Sequence, residues 1–461
     1  MADGARPDAI ASGVASGDLP ALASLRDDGG LYTVTTCAPS VTGPAYTPFL
    51  LGRYPAPIGL PGLRWYDRTR QTCRLPGNSR SYVGFEMRHV DADLDAANPT
   101  MYELVPSSLG ALSVITRGLP ARRRIGYAPQ AKFRTALTHF RGDVPGWLDI
   151  DRGVARELCT RISRDRPDFV FAALTGTDKI SHAAGHDSPL LVESLKIVDD
   201  LVGELRSNLE EARTWEQTRL WVVSDHGHVQ LKDHEDLVRV LSDWGYRVRA
   251  HPWVYTSRGD VAVMVSGNAL AHLYFDLETR ERRWWRGLAL RWEAAVQQLL
   301  TRDSVDLVLL PHSASSVEIR ARGGRGSAML EAYGGRYAYR PRSGDPLGIG
   351  ELPVLDTEEA YDVTIDSDYP DALVQIAALC TAARSGDVIL SATRDWDFRA
   401  RHEPIPHVSS HGALHRDHML VPLMLNRPPR VTPRRTVDVF PSALDALGLA
   451  RPPVLDGQSF L

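Results

Sequence analysis

The chain has 461 residues, 43% of them hydrophobic, and its 53 Lys and Arg nearly balance its 57 Asp and Glu, which gives a net charge of -4. A chain of this length predicts one large α/β domain with an insertion, or two domains. The balanced charge argues against a nucleic-acid-binding arm, and four Cys argue against a disulfide framework. The N-terminus has no signal-like pattern and no eighteen apolar residues run together, so we expect a cytoplasmic protein without a membrane segment.

The first candidate functional element in chain order is "PSVTGPAYTPFLLGRYP", residues 39–55. Thr42 stands where a helix is predicted to begin, and a Thr at such a turn can aim its hydroxyl at an anion, because a helix start favours negative charge. The alternative is that Thr42 only caps the helix. Downstream, Arg64 in "GLPGLRWYDRTR" can pair with a distal phosphate of a substrate, or belong to ordinary packing with surface charges.

Two apolar runs of strand length, residues 167–174 and 218–224, flank an amphipathic segment, residues 188–214, that begins with Ser and Pro. This pattern predicts a strand, a helix and a second strand in a βαβ crossover, which favours a parallel sheet covered by helices. A second unit of this kind is predicted late in the chain, with a helix in residues 369–386 and a strand in residues 387–393.

Polar side chains follow these strands where each ends. Asp178 and His182 come after the first run, and "WVVSDHGH" places Asp225 and His226 after the second. A third cluster, "SSHGALHRDH", contains His411, His415 and His418 beside another apolar run. Ligands bind at the carboxyl ends of strands in open α/β sheets, and carboxylate and imidazole are ligands for zinc or manganese. Each His taken alone can be structural, but the three clusters together predict a metal site.

In the middle of the chain the sequence pattern changes. It predicts strands with alternating apolar residues, Gly-rich turns and one long helix, "RRWWRGLALRWEAAVQQLLTR". This change predicts an inserted α+β cap at residues 239–342, between two parts of a core α/β domain, residues 1–238 and 343–461.

These motifs together resemble the type I phosphodiesterase/nucleotide pyrophosphatase branch of the alkaline phosphatase superfamily. "DKISHAAG", "SDHGH" and "SSHGAL" are similar to the family's Asp and His motifs in order and rough separation. "TVDVFPSALDALGLARPPVLDGQSFL" resembles its closing segment, and residues 39–55 resemble its nucleophile segment without gaps. The resemblance implies a mostly parallel central sheet sandwiched by helices, with an inserted α+β cap.

The resemblance also implies a function: hydrolysis of a phosphodiester or nucleotide pyrophosphate bond in a small phosphate ester or nucleotide, through a phosphothreonine on Thr42. Two divalent cations about 4 Å apart, zinc with manganese as the alternative, would stabilise the in-line displacement. One cation would be held by Asp178, His182 and His411, and the other by Asp3, Asp225, His226 and the Thr42 oxygen.

Asp3 lies in "ADGARPDAI", which resembles the family's first Asp-Gly motif, but only Met1 and Ala2 precede it where the family has an apolar central strand. Loss of a central strand would expose two sheet edges. We therefore expect that the chain starts late relative to its relatives.

Other departures leave alternatives open. Ala45 occupies the position of a family Asn that donates to a phosphate oxygen, and Tyr46 is the candidate replacement. His186 replaces a family Pro, and either reaches the substrate or caps a turn. The alternatives to a phosphodiesterase are a phosphomonoesterase on the same site, a sulfatase suggested by "CAPS" at residues 37–40, and a non-catalytic binding relative.

Overall fold

The computed structural model describes residues 1–69, 78–251, 259–398 and 407–461. The strands are β1 Leu31–Thr35, β2 Arg64–Tyr66, β3 Ser79–Ser81, β4 Ser108–Ala111, β5 Arg124–Ile125, β6 Phe169–Ala172, β7 Trp221–Val223, β8 Val229–Gln230, β9 Asp233–His234, β10 Val248–Ala250, β11 Val261–Val265, β12 Leu270–Phe275, β13 Val305–Ser313, β14 Ser316–Ala321, β15 Gly326–Tyr333, β16 Arg336–Gly344, β17 Leu355–Asp356, β18 Val388–Ala392, β19 Trp396–Asp397, β20 Ser409–Ser410 and β21 Leu420–Leu425.

The α-helices are α1 Pro7–Ser16, α2 Pro20–Gly29, α3 Thr47–Leu51, α4 Val90–Asp93, α5 Met101–Leu104, α6 Pro129–Phe140, α7 Val144–Asp165, α8 Gly176–Ala184, α9 Pro189–Glu211, α10 Leu237–Asp243, α11 Trp285–Leu299, α12 Thr357–Thr364, α13 Ala372–Thr381, α14 Arg416–Met419 and α15 Val439–Ala446. Within the described ranges, none of them combines the length and the apolar character that a membrane crossing needs.

The core sheet is built from two three-stranded pieces that meet at the N-terminal residues. In the first piece β4 pairs in parallel with both β5 and β6, and in the second β21 lies antiparallel between β1 and β7. Ala2 pairs in parallel with Leu174, just past β6, and its N–H donates to the Val223 carbonyl of β7 at 2.9 Å. The first two residues therefore join the pieces and deliver Asp3 to the edge where β6 and β7 end.

Helices cover both faces of this sheet, which explains the continuous apolar runs in its strands. Phe171 and Ala173 pack into one apolar core, whereas Leu174 faces the core beneath α7 and α9. Leu191 and Leu195 of the predicted helical stripe are buried in that second core. The predicted α/β class is confirmed, and the first predicted strand, helix and strand are present as β6, α9 and β7.

A second, nine-stranded sheet has the order β10-β11-β12-β18-β13-β14-β15-β16-β17, and every neighbouring pair except β10 with β11 is antiparallel. Gly334 and Gly335 form a two-residue turn between β15 and β16, with φ of 59° and 75°. A turn of that kind needs positive φ at both positions, which Gly adopts without a steric penalty.

This sheet draws strands from both sides of residue 342, since β17 and β18 follow it in the chain. The helix and strand predicted for residues 369–393 are present as α13 and β18. Their assignment to a second parallel βαβ unit is wrong, because β18 runs antiparallel to β12 and β13. The domain boundaries at 239 and 342 remain a prediction.

Candidate active site

The residues predicted as metal ligands converge, and all are buried: Asp3, Asp178, His182, Asp225, His226 and His411. Each follows a sheet element directly or by a few residues. Asp3 follows Ala2, α8 begins after β6, Asp225 follows β7 within two residues, and His411 follows β20. Asp3, Asp178 and Asp225 therefore lie where elements of the core sheet end, and His411 joins them from the separate β8 and β20 pair.

We call the first half of the cluster site 1, composed of Asp178, His182 and His411. The four-residue spacing on α8 puts Asp178 and His182 on one helix face, with Asp178 Oδ1 3.2 Å from His182 Nε2. Asp178 Oδ1 lies 3.5 Å from His411 Nε2, and the two Nε2 atoms are 3.2 Å apart. Asp178 Oδ1 and the two Nε2 atoms therefore face a common position between them.

Site 2 is composed of Asp3, Asp225, His226 and Thr42. His226 Nε2 lies 3.3 Å from Asp3 Oδ1 and 3.7 Å from Asp225 Oδ2. Thr42 Oγ1 lies 3.1 Å from His226 Nε2 and 3.2 Å from Asp3 Oδ1. The sites adjoin, because His226 Nε2 is 3.9 Å from Asp178 Oδ1 of site 1.

Backbone carbonyls fix the tautomers of the three imidazoles. The Nδ1 atoms of His182, His226 and His411 lie 2.8, 3.0 and 2.8 Å from the carbonyl oxygens of Ser409, Gly227 and Ser40. A carbonyl oxygen only accepts, so each Nδ1 carries a hydrogen, and in the neutral ring each Nε2 presents a lone pair to the cluster. This is the arrangement of metal-binding imidazoles. The facing Nε2 atoms of His182 and His411 would be stabilised by a cation between them.

The carboxylates also fit a cation. Burial, followed by the neighbouring negative charge of Asp3, raises the pKa of Asp225 to about 8. The Oδ2 atoms of Asp3 and Asp225 are buried and receive no hydrogen bond from the described residues. Burial opposes charge on His226, but Asp225 and Asp3 outweigh it and raise its pKa to about 9. Bound dications would compensate this buried negative charge.

Thr42 is half-buried and precedes Gly43, whose φ is 97°, and the short 3₁₀ turn Pro44–Tyr46 that leads into α3. It is thus the accessible member of the cluster, at the start of a helical segment as predicted.

The three predicted substrate-binding residues are placed differently. Tyr46 is buried and packs edge-on against Phe171, and burial, followed by the charges of Asp3 and Asp225, raises its pKa. Arg64 lies in β2, where its carbonyl accepts from Ser266. His186 Nε2 lies 3.6 Å from Asp187 in its own turn. Substrate roles for all three remain predictions.

Two further histidines contact site 1: His228, which the sequence offers only as a possible partner of the metal ligands, and His407, which it does not single out. His228 Nε2 lies 2.9 Å from Asp178 Oδ1, and the His407 ring stacks on the His182 ring at 4.1 Å. The only sequence signal for His228 is the second His of "SDHGH". Of the other two histidines in the third cluster, His415 Nδ1 lies 3.3 Å from Asp417 Oδ2, and His418 Nδ1 accepts from the Ala413 amide at 3.0 Å.

Comparison with known proteins gives consistent likenesses. Residues 1–414 match the family model described as type I phosphodiesterase/nucleotide pyrophosphatase. An uncharacterized pyrophosphatase/phosphodiesterase of Schizosaccharomyces pombe is 24% identical over 203 residues, which are 42% of this chain and 38% of that protein. The chain thus matches about two fifths of the length of this relative.

Two solved structures resemble nearly the whole chain. Phosphonoacetate hydrolase from Sinorhizobium meliloti 1021, in complex with phosphonoformate, has a TM-score of 0.58 at 16% identity and covers 97% of this chain and 94% of its own. Murine ectonucleotide pyrophosphatase/phosphodiesterase 5, in an inactive threonine-to-alanine form with AMP, has a TM-score of 0.56 at 14% identity, covering 99% and 95%. These likenesses confirm the predicted alkaline phosphatase-like fold.

Proposed function

The chain belongs to the type I phosphodiesterase/nucleotide pyrophosphatase family, and from that premise we propose that it is a phosphoryl hydrolase. Its substrate would be a small phosphodiester or a nucleotide with a pyrophosphate bond, cleaved through a phosphothreonine on Thr42. The observation that carries the proposal is the half-buried Thr42 hydroxyl, 3.1 Å from His226 Nε2 and 3.2 Å from Asp3 Oδ1 in an otherwise buried cluster.

Site 1 and site 2 would each hold one divalent cation, zinc or alternatively manganese, through the ligand sets defined above. The bare Nε2 atoms and the unpartnered carboxylate oxygens support this assignment. The pair of cations would supply positive charge that favours the ionised Thr42 hydroxyl and the charge developing on the transferred phosphoryl group.

The chain's own residues would perform the bond changes. Thr42 Oγ1 would lose its proton and bond to phosphorus as the bond to the leaving oxygen breaks, and the leaving group would take up a proton as it departs. Water would then attack phosphorus, which releases the phosphate product and returns a proton to Thr42 Oγ1. Ala45 cannot donate to a phosphoryl oxygen. We propose that the hydroxyl of the adjacent Tyr46 donates in its place, since a Tyr hydroxyl can donate a hydrogen bond.

The placement of Cys37 weighs against the sulfatase alternative. Cys37 is fully buried in a core beneath the site, and burial raises the pKa of its thiol. Thr42, not Cys37, contacts the Asp and His cluster.

A direct test compares bis(4-nitrophenyl) phosphate with 4-nitrophenyl phosphate, using the purified full chain supplied with zinc or manganese. We expect faster hydrolysis of the diester and loss of activity with a chelator. Faster hydrolysis of the monoester would favour the phosphomonoesterase alternative. Undiminished hydrolysis by fully chelated protein would reject the two-metal function.

A further inference from the structure

A fourth imidazole, His228, touches the carboxylate of site 1. His228 is fully buried, and its Nε2 lies 2.9 Å from Asp178 Oδ1, closer than the Nε2 of either His182 or His411. One ligand atom from each of Asp178, His226, His228 and His411 also lies within 4.8 Å of the others. His228 is therefore either a further metal ligand or a group that acts on Asp178.

The hydrogen-bond partners distinguish these roles. The three predicted ligand imidazoles each face a backbone carbonyl through Nδ1, whereas His228 Nδ1 lies 2.8 Å from the hydroxyl oxygen of Ser409. A hydroxyl can donate, so the hydrogen of His228 is free to sit on Nε2. From there it is donated to Asp178 Oδ1. The other tautomer would set a bare lone pair 2.9 Å from a buried carboxylate oxygen.

The backbone around His228 is arranged to hold this ring. His228 precedes β8, which pairs antiparallel with β20 so that Ser409 lies opposite Gln230. Arg6 Nη1 donates to the His228 carbonyl at 2.9 Å. Gly4 leaves room for the ring, because a Cβ there would lie 3.0 Å from His228 Cδ2.

Asp178 is held from both sides as a result. Lys179 Nζ lies 2.7 Å from Asp178 Oδ2, and His228 takes up one lone pair of Oδ1. The other Oδ1 lone pair remains for the point shared with His182 and His411. We propose that His228 is a positioning residue, which together with Ser409 orients the Asp178 carboxylate for the cation of site 1. This inference rests on the two-metal function proposed above.

The test measures cation binding, not only activity. Wild type, His228→Leu and His228→Gln are stripped of metal, and zinc is titrated back against a chromophoric chelator. Since partners of metal ligands typically contribute 10- to 100-fold in affinity, we expect His228→Leu to weaken one of two zinc ions by about that factor. The Gln amide can donate in place of Nε2–H, so His228→Gln should bind within about threefold of wild type.

His312→Leu is the matched control, because His312 Nε2 lies 3.0 Å from Glu318 Oε2 in an imidazole and carboxylate pair on the nine-stranded sheet. It should leave both zinc affinities unchanged. If His228→Leu does not fold, Ser409→Ala decides, since it removes the hydroxyl partner of His228 and keeps the carbonyl partner of His182. A several-fold loss of affinity at one ion is expected.

Unchanged zinc affinity in His228→Leu, or in Ser409→Ala if that variant decides, would overturn the inference. It would also be overturned if His228→Gln bound zinc as weakly as His228→Leu and altered the visible spectrum of bound Co²⁺, because His228 would then be a ligand. A wild-type protein that binds no zinc would instead reject the two-metal function itself.

Discussion

Thr42 contacts the buried cluster and is also partly exposed. Its hydroxyl contacts Asp3 and His226, yet the residue is half-buried while both partners are fully buried. This exposure is what the nucleophile role proposed for Thr42 requires.

Replacing Thr42 tests its role as nucleophile. We expect Thr42→Ala to lower kcat for diester hydrolysis by on the order of 10³-fold or more, because the attacking oxygen is lost. Rapidly quenched wild type should carry a phosphoryl group on an intact-mass spectrum, and Thr42→Ala should not. Thr42→Ser, which keeps a hydroxyl, is the control and should retain measurable activity. A phosphorylated, active Thr42→Ala protein would refute the role.

Asp225 illustrates a conflict between binding and stability. Burial and the charge of Asp3 raise its pKa to about 8, so its charged form is disfavoured in the folded protein without a cation. We expect Asp225→Asn to stabilise chelated protein by ~2 kcal/mol and to weaken zinc binding. Thermal unfolding with and without zinc measures both effects. A lower melting temperature for the chelated variant would contradict this reading.

The strand-end pattern predicted most of the cluster but not its supporting contacts. Asp225 was recognisable because it directly follows an apolar run, and Asp178 because it comes shortly after one. The contact of His228 with Ser409 joins residues 181 positions apart, through a two-stranded pairing too short to leave a periodic signal. Which imidazole would donate to a carboxylate and which would bind a cation depends on those partners.

At the scale of elements, His272 links β12 to two loops. Its Nε2 donates to the Pro61 carbonyl at 3.0 Å, and its Nδ1 accepts from the Gly386 amide at 2.9 Å. Burial lowers its pKa to about 3. A proton on Nδ1 would face the Gly386 N–H, so the folded protein holds this ring neutral.

Acidification should therefore destabilise the fold through His272. Between about pH 6.5 and pH 3 the unfolded chain binds a proton that the folded chain does not, so stability falls as pH falls, by ~2 kcal/mol from pH 7 to pH 5. His272→Gln keeps a donor and an acceptor but does not titrate. Denaturant unfolding at both pH values should show a smaller pH-dependent loss for the variant. Equal losses would assign the effect to other groups.

In the nine-stranded sheet, the hydrophobic pattern of a strand does not predict its direction or its neighbours. In β18, Val388 and Leu390 pack into one core and Ile389 into another, so both faces are buried. Such a strand gives the same continuous apolar run whether its neighbours are parallel or antiparallel. The strand was therefore predictable, whereas its direction and its sheet depended on partners in residues 270–273 and 305–309.

At the scale of the whole molecule, the cluster connects segments that are far apart in the chain. Asp3, Asp178, Asp225 and His411 come from four separate stretches that meet at one edge of the core sheet. Cations bound there would cross-link the junction of the two three-stranded pieces. Because the unfolded chain lacks this site, cation binding would add to the stability of the fold.

Chelation should therefore lower the melting temperature of the whole chain. Two ions, each present at 100 times its Kd, would contribute ~5 kcal/mol. For 461 residues the unfolding entropy is ~1 kcal/mol/K, so the expected shift is ~5 °C. Scanning calorimetry with zinc and with a chelator measures it. Thr42→Ala should keep most of the shift, because Asp3, Asp225 and His226 still bind, whereas His411→Ala should lose about half. A shift that is absent in wild type, or that survives unchanged in His411→Ala, would mean that the cations do not join these segments.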